Sequence, residues 1–210
     1  DMPGGHTVIQ VSRAAQNAIL LFGGSNRAVD EAYADRVLAQ FGAGDILLLQ
    51  NEISALPYIL EKAHARGMEI WLNPSPMNEN VLKCNLSLVS VFVLNEVEGE
   101  QLTGTQIPTA ILDKLLQKYP HAAAVLTLGS KGAWYAKEDK RAFAPAELVR
   151  AVDTTAAGDT FTGYFMRGML DGLSPKKSLT LAAKAAAIAV SRPGAAPSIP
   201  LYAEVTSERN

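Results

Sequence analysis

From Asn26 onward the chain alternates short, continuously apolar runs with segments of helical periodicity, which confines it to repeated βα units around a parallel sheet. The apolar runs lie at 46–50, 68–72, 88–94 and 124–128. They are mostly too continuous for half-exposed strands, so helices are expected on both faces, giving an α/β fold of three layers, α/β/α. Ser54 with Pro57 is expected to open a helix that Gly67 closes. A second covers 109–119 with Ile111, Leu112, Leu115 and Leu116 on one side, and Ser174-Pro175 opens the long last helix.

Two segments depart from this rhythm. The β-rich runs 7–11 and 18–22 flank a polar stretch, 12–17, and predict an antiparallel hairpin. Residues 132–135 and 142–145 bracket the charged turn 138–141 and predict an antiparallel pair extending the sheet edge.

With 210 residues, 48% hydrophobic and 19% charged, the chain can bury one sizeable core. A formal net charge of −2 supplies no reason to expect nucleic acid or an anionic membrane as partner, so a small molecule is favoured. Cys84 is the single cysteine and stands in no metal-ligand spacing, and no run approaches the length of about 18 apolar residues that spans a bilayer. A cytoplasmic protein is expected.

Chemistry concentrates in Val152-Asp-Thr-Thr-Ala-Ala-Gly-Asp-Thr-Phe-Thr-Gly163, a polar turn leading into a helix. Ala156, Ala157 and Gly158 fall on its first turn, where free N–H groups and the positive dipole end make an anion site open to close approach. Asp159 projects from the same turn and is the candidate catalytic base toward an attacking hydroxyl. The plainer alternative is that Asp153 or Thr154 caps the helix and Asp159 merely occupies a favourable position.

Asn95 and Glu98 open a helix after a buried strand, at the carboxyl edge where α/β sheets place ligands. An Asn cap followed by solvated glutamates explains the same residues. Thr127-Leu128-Gly129-Ser130-Lys131-Gly132 follows another apolar strand, its glycines allowing backbone to approach a nucleotide. A tight turn between edge strands is the alternative.

Taken together in order, these segments resemble the ribokinase family of sugar and nucleoside kinases. The stretch 153–161 is similar to its C-terminal signature, Asn73-Pro-Ser-Pro76 to its Asn-Pro turn, Asn95 to Gly104 to its Asn-x-x-Glu motif, Thr127 to Gly132 to its nucleotide turn, and Arg192 to Ser198 to its closing loop. The resemblance implies ATP-dependent phosphorylation of a sugar hydroxyl, most readily ribose, with a nucleoside or other carbohydrate as the alternative acceptor.

It further implies that Asp159 is the base, that Ala156, Ala157 and Gly158 form the anion hole, and that Gly158 also belongs to the nucleotide site with Asn95 and Thr127 to Gly132. Asn95 and Glu98 would serve Mg²⁺ through phosphate and water, a mode that suits an ion reluctant to shed its waters. Asp153, Thr155, Ala189, Arg192, Gly194 and Ser198 would hold K⁺, several through carbonyl oxygens, and Glu52 and Asp159 would meet the sugar. The hairpin within residues 1–24 would be a remnant of a β lid, a site of homodimerisation in the family, and 25–210 the nucleotide-binding and catalytic domain.

The resemblance is incomplete. The family's opening strand with its sugar-binding Asp, and its Gly-Gly segment followed by Asn, have no counterpart here. Ala183 stands where the family often has His or Asn beside adenine. These departures lead to the expectation of a fragment of a longer polypeptide, inactive alone, with a catalytically incomplete nucleotide-binding segment as the rival reading.

Overall fold

The computed structural model describes residues 2–11 and 17–207. Strands β1 (His6–Val11) and β2 (Asn17–Phe22) form a two-stranded sheet of their own, as the hairpin pattern predicts. Residues 12–16 of the expected polar turn lie outside the described residues. The rest of the chain is α/β, with a mixed six-stranded sheet flanked by helices, its strands ordered β3-β4-β5-β6-β7-β8. Two compact units divide the chain, the first built mainly from residues 19–126 and the second mainly from residue 140 onward together with 127–135.

In the first unit α1 (Glu31–Leu38) starts at Asp30, whose carboxylate accepts the Tyr33 N–H at 2.7 Å. Then follow β3 (Ile46–Gln50), α2 (Leu56–Ala65), β4 (Glu69–Asn73), the short α3 (Glu79–Leu82), β5 (Val91–Asn95), α4 (Glu96–Thr103), α5 (Pro108–Lys118) and β6 (Ala123–Thr127). Parallel pairing sets Ile46 against Glu69, Gln50 against Asn73 and Trp71 against Val91. Ile70, Leu72, Phe92, Leu94, Ile111, Leu112, Leu115 and Leu126 are essentially removed from water, so the apolar stripe expected on α5 is the one buried. Phe92 and Tyr119 pack with ring centroids 5.1 Å apart.

Strands β7 (Ala133–Lys137) and β8 (Lys140–Ala144) are neighbours in the sheet, and Glu138 in the turn between them has φ 51°. Helices α6 (Ala157–Leu170) and α7 (Pro175–Val190) pack closely, with Phe165 and Leu179 fully buried. Gly168 permits the approach, since a β-carbon there would lie 2.8 Å from Ser178 Oγ. The Ser174 hydroxyl accepts the Lys177 N–H, so this helix opens where expected.

Several expectations are corrected. A further helix, α8 (Tyr202–Thr206), follows α7, which is therefore not the last; Val205 anchors it against Ala185 and Ile188. The strand expected at 88–94 starts later, at Val91, because Leu88 closes the 3-10 turn Leu86–Leu88, which Asn85 caps by accepting the Ser87 N–H. Ser54 does not cap α2: Ala55 holds the cap position at φ 58°, and Ser54 donates its N–H to the Asn26 carbonyl at 3.0 Å. Strand β3 is not covered on both faces, Leu48 being 43% exposed.

Candidate active site

Because β3, β4 and β5 run parallel, their carboxyl ends share one edge, carrying Asn51 and Glu52, the loop 73–76, and Asn95 with Glu98. Asn95 caps α4 through a reciprocal box: its Oδ1 accepts the Glu98 N–H at 3.0 Å, and its own N–H is donated to Glu98 Oε2 at 3.0 Å. Its amide Nδ2 also donates to Glu98 Oε1 at 3.0 Å. The expected cap is therefore present, but Glu98 is not a solvated glutamate, being 6% exposed. Burial pushes its carboxyl above the ordinary glutamate value, against the hydrogen bonds from Asn95 and the Ser75 hydroxyl that pull it down. Glu52 is half-buried in the turn after β3.

The loop between β4 and α3 is fixed from several directions. Asn73 Oδ1 accepts the Ser75 N–H at 3.0 Å, and the Ser75–Pro76 peptide is cis. Asn51 donates its backbone N–H to the Ser75 carbonyl at 2.9 Å and its side-chain amide to the Pro76 carbonyl at 2.6 Å.

In the second unit, residues 127–132 form a closed turn after β6, in which the Leu128 N–H is donated to the Gly132 carbonyl at 2.8 Å. Gly129, Ser130 and Lys131 are exposed on it, while Leu128 and Gly132 are buried and Thr127 is half-buried. Gly132 has φ 112°, and a β-carbon there would come within 2.2 Å of the Ala144 carbonyl oxygen, so close packing on the end of β8 demands this glycine.

Helix α6 begins with Ala156 at the cap position, in the left-handed region at φ 61°, and no side chain caps it. Neither Asp153 nor Thr154 does so, which removes the capping alternative. Asp153 is engaged elsewhere: its Oδ1 accepts the Thr155 N–H at 2.9 Å and its Oδ2 the Gly194 N–H at 3.0 Å. Asp159 and Gly158 are exposed in the first turn, and a β-carbon at Gly158 would meet nothing within 4 Å. Beside them Thr160 Oγ1 is the buried side-chain oxygen left without a partner among the described residues. The helix end thus offers N–H groups, a positive dipole and an exposed carboxylate on one open surface.

The end of α7 lies against the same segment. Its Val190 carbonyl accepts the N–H groups of Val152 and Asp153 at 2.7 and 3.2 Å. Arg192 donates its N–H to the Ala189 carbonyl at 3.1 Å and its guanidinium to Glu204, and the buried Ser198 hydroxyl donates to the Ala195 carbonyl at 2.7 Å. The structure therefore brings Asp153, Thr155 and Gly194 into direct contact. Ala189 lies in the last turn of α7, and Arg192 and Ser198 follow in the adjoining loop, bonded back to α7, within the loop and to α8. Among the described residues no helix is long and apolar enough to cross a membrane, and no cluster of His, Cys, Asp and Glu could cage a metal.

Residues 3–201 match the sequence profile of the pfkB family carbohydrate kinases. The chain belongs to this family. Its relatives include the ribokinase of Schizosaccharomyces pombe, 36% identical over 98% of this chain and 68% of that protein. The ribokinase of Haemophilus influenzae is 32% identical over 95% of this chain and 67% of its own length. Among solved structures, the Arabidopsis thaliana ribokinase complexed with ribose and ATP superposes with a TM-score of 0.81 at 30% identity, covering 98% of this chain and 69% of that one. This pfkB-family chain spans about two thirds of the length of those relatives.

Residue 51 is the member of this constellation that pattern reading passed over. A polar residue directly after an apolar strand reads as turn, and only the fold reveals its partner 25 positions away. The sole local signal was an amide placed between the strand and Glu52.

Proposed function

We propose that this chain carries the phosphoryl-transfer machinery of an ATP-dependent sugar kinase acting on a ribose-like hydroxyl. The observation that carries the reading is the start of α6, where an uncapped helix end and the exposed Asp159 share one turn in a chain of the pfkB family. The N–H groups of Ala156, Ala157 and Gly158 stabilise charge on the transferring phosphoryl group, and Asp159 accepts the hydroxyl proton as the oxygen attacks. The turn Thr127 to Gly132 receives the nucleotide, with Gly129, Ser130 and Lys131 presenting backbone to it. Glu52 contacts the sugar.

The donors around Asn95 and Glu98 fit Mg²⁺ held through its waters and the nucleotide phosphates, since both Glu98 oxygens already accept hydrogen bonds from Asn95. When bound, the ion neutralises phosphate charge. Near the end of α7, the Asp153 carboxylate, the Thr155 hydroxyl and the carbonyls of Ala189, Arg192, Gly194 and Ser198 are hard oxygen donors beside a negative helix end, which fits K⁺. The solvent-exposed apolar residues Val8, Leu20, Leu21 and Phe22 on the hairpin support a lid that pairs in a homodimer. A cytoplasmic location agrees with these soluble substrates.

The test is phosphoryl transfer from ATP by the purified chain across ribose, deoxyribose, fructose and adenosine, followed by ³¹P NMR. Transfer to ribose above the other acceptors supports the reading, and preference for adenosine reassigns the acceptor. Binding of Mg-ATP without transfer to any acceptor favours the catalytically incomplete nucleotide-binding alternative.

A further inference from the structure

Helix α8 lies against the packed pair α6 and α7 and is held there at several points. Val205, 1% exposed, sits against Ala185 and Ile188 of α7. The Tyr164 hydroxyl of α6 donates to the Pro200 carbonyl at 2.7 Å, and the Tyr164 and Tyr202 rings stack within 4° of parallel. Glu204 uses both carboxylate oxygens: Oε2 accepts the Leu201 N–H at 2.7 Å, and Oε1 accepts from the Arg192 guanidinium. A carboxylate already fixed at the start of its own helix presents the second oxygen in one orientation, so pairing costs less side-chain entropy than it does for two free surface groups. Arg192 lies 12 positions away, in the loop that leaves α7.

The stretch 192–194 is thereby held at three points. Arg192 donates its N–H to the Ala189 carbonyl at 3.1 Å and its guanidinium to Glu204, and Gly194 donates its N–H to Asp153 Oδ2 at 3.0 Å. Gly194 has φ 88° and no side chain to restrain its dihedrals, so the shape of the stretch depends on these contacts. We propose that Glu204 is a positioning residue that acts through Arg192: it fixes the backbone of residues 192–194 and so the meeting of Gly194 with Asp153. This rests on the cation reading above, in which Asp153 and the carbonyls of Arg192 and Gly194 are among the donors to K⁺. Helix α8, which supplies none of those donors, then sets how readily the chain takes K⁺. A Glu204 that merely anchored α8 would change stability equally at every K⁺ concentration. A positioning Glu204 must also be felt at Gly194, with which it shares no bond.

The discriminating variants are Glu204→Gln, which keeps an oxygen for the Leu201 N–H and removes the charge, Arg192→Met, which keeps the apolar stem and removes the guanidinium, and the double substitution. Amide exchange measured by NMR in choline chloride reports on the Gly194 N–H directly, since that N–H is donated to Asp153. The paired side chains are 37% and 40% exposed, so each single variant is expected to speed Gly194 exchange by about two- to fivefold, and the double variant no more than either alone. Melting temperature followed as potassium chloride replaces choline chloride at fixed ionic strength gives the half-saturating K⁺ concentration. That concentration is expected to rise by about two- to fivefold, in the same non-additive way.

Gly194 exchange unchanged in Glu204→Gln, a melting temperature lowered equally at every K⁺ concentration, or single effects that add in the double variant, would overturn the proposal. Should the parent chain show no stabilisation by K⁺, the cation reading fails, while the exchange comparison still decides whether Glu204 positions Gly194. Should Glu204→Gln not fold, Arg192→Met cuts the same pair without touching α8 and is judged by the same comparison.

Discussion

Asp153 Oδ2 accepts the Gly194 N–H at 3.0 Å, joining two loops that lie 41 positions apart in sequence. The carboxyl is held below the usual aspartate value, first by the Thr155 hydroxyl, then by the Thr155 and Gly194 N–H groups, with desolvation opposing weakly. A depressed carboxyl contributes stability that is present above its unfolded value and lost as pH falls through the folded one. The melting temperature of the parent should exceed that of Asp153→Asn by a constant margin from about pH 5 to 8, and the margin should close below about pH 4. Amide exchange at Gly194 should quicken in the variant at neutral pH. A margin independent of pH throughout would remove the ionised carboxylate from this role.

Asp159→Asn retains the shape of the side chain and the uncapped start of α6 while removing a proton acceptor. Turnover measured by ADP release is expected to fall by about 10²- to 10⁴-fold, with the dissociation constant for Mg-ATP within about twofold of the parent. An equal loss in nucleotide affinity and turnover would instead make Asp159 a binding group.

The two glycines of the turn 127–132 should respond differently to substitution. Gly132→Ala introduces a β-carbon into the Ala144 carbonyl at φ 112°, so a loss of about 3 kcal/mol or more is expected by chemical denaturation. Gly129 has φ 55° with nothing within 4 Å of the added atom, and Gly129→Ala should cost only the left-handed penalty of about 1–2 kcal/mol. If both cost the same, contact with the end of β8 is not what demands Gly132.

What could be read from the sequence was local. Strand β3 falls at the expected residues, and the stripe Ile111, Leu112, Leu115 and Leu116 is buried, because strand and helix periods are written in neighbouring side chains. The start of α6 was legible for the same reason: small residues followed by Asp are contiguous. Partners brought together by the fold were not legible in local pattern: Asn51 and Pro76 gave no signal of each other, and Asp153 and Gly194 were linked only through the family resemblance. Burial of Glu98 was hidden too, since a Glu three residues after a cap is ordinary surface chemistry until the fold covers it. The exposure of Leu48 shows the converse limit: an apolar run records the capacity for burial, not the presence of a cover.

Helix α6 contains a pair of glycines on which the same substitution should have opposite signs. Gly163 has nothing within 4 Å of an added β-carbon, so Gly163→Ala should raise stability by about 0.5–1 kcal/mol through helix propensity alone. At Gly168 the same methyl would stand 3.0 Å from Ser178 Cα and 2.8 Å from Ser178 Oγ, on a helix whose backbone has little room to yield. The gain in propensity, about 1 kcal/mol, is then opposed by an overpacking cost of about 1–3 kcal/mol, and net destabilisation should follow. Urea unfolding of both variants decides it. If Gly168→Ala proves as stabilising as Gly163→Ala, then α6 and α7 can separate without loss, and their close approach does not hold the second unit together.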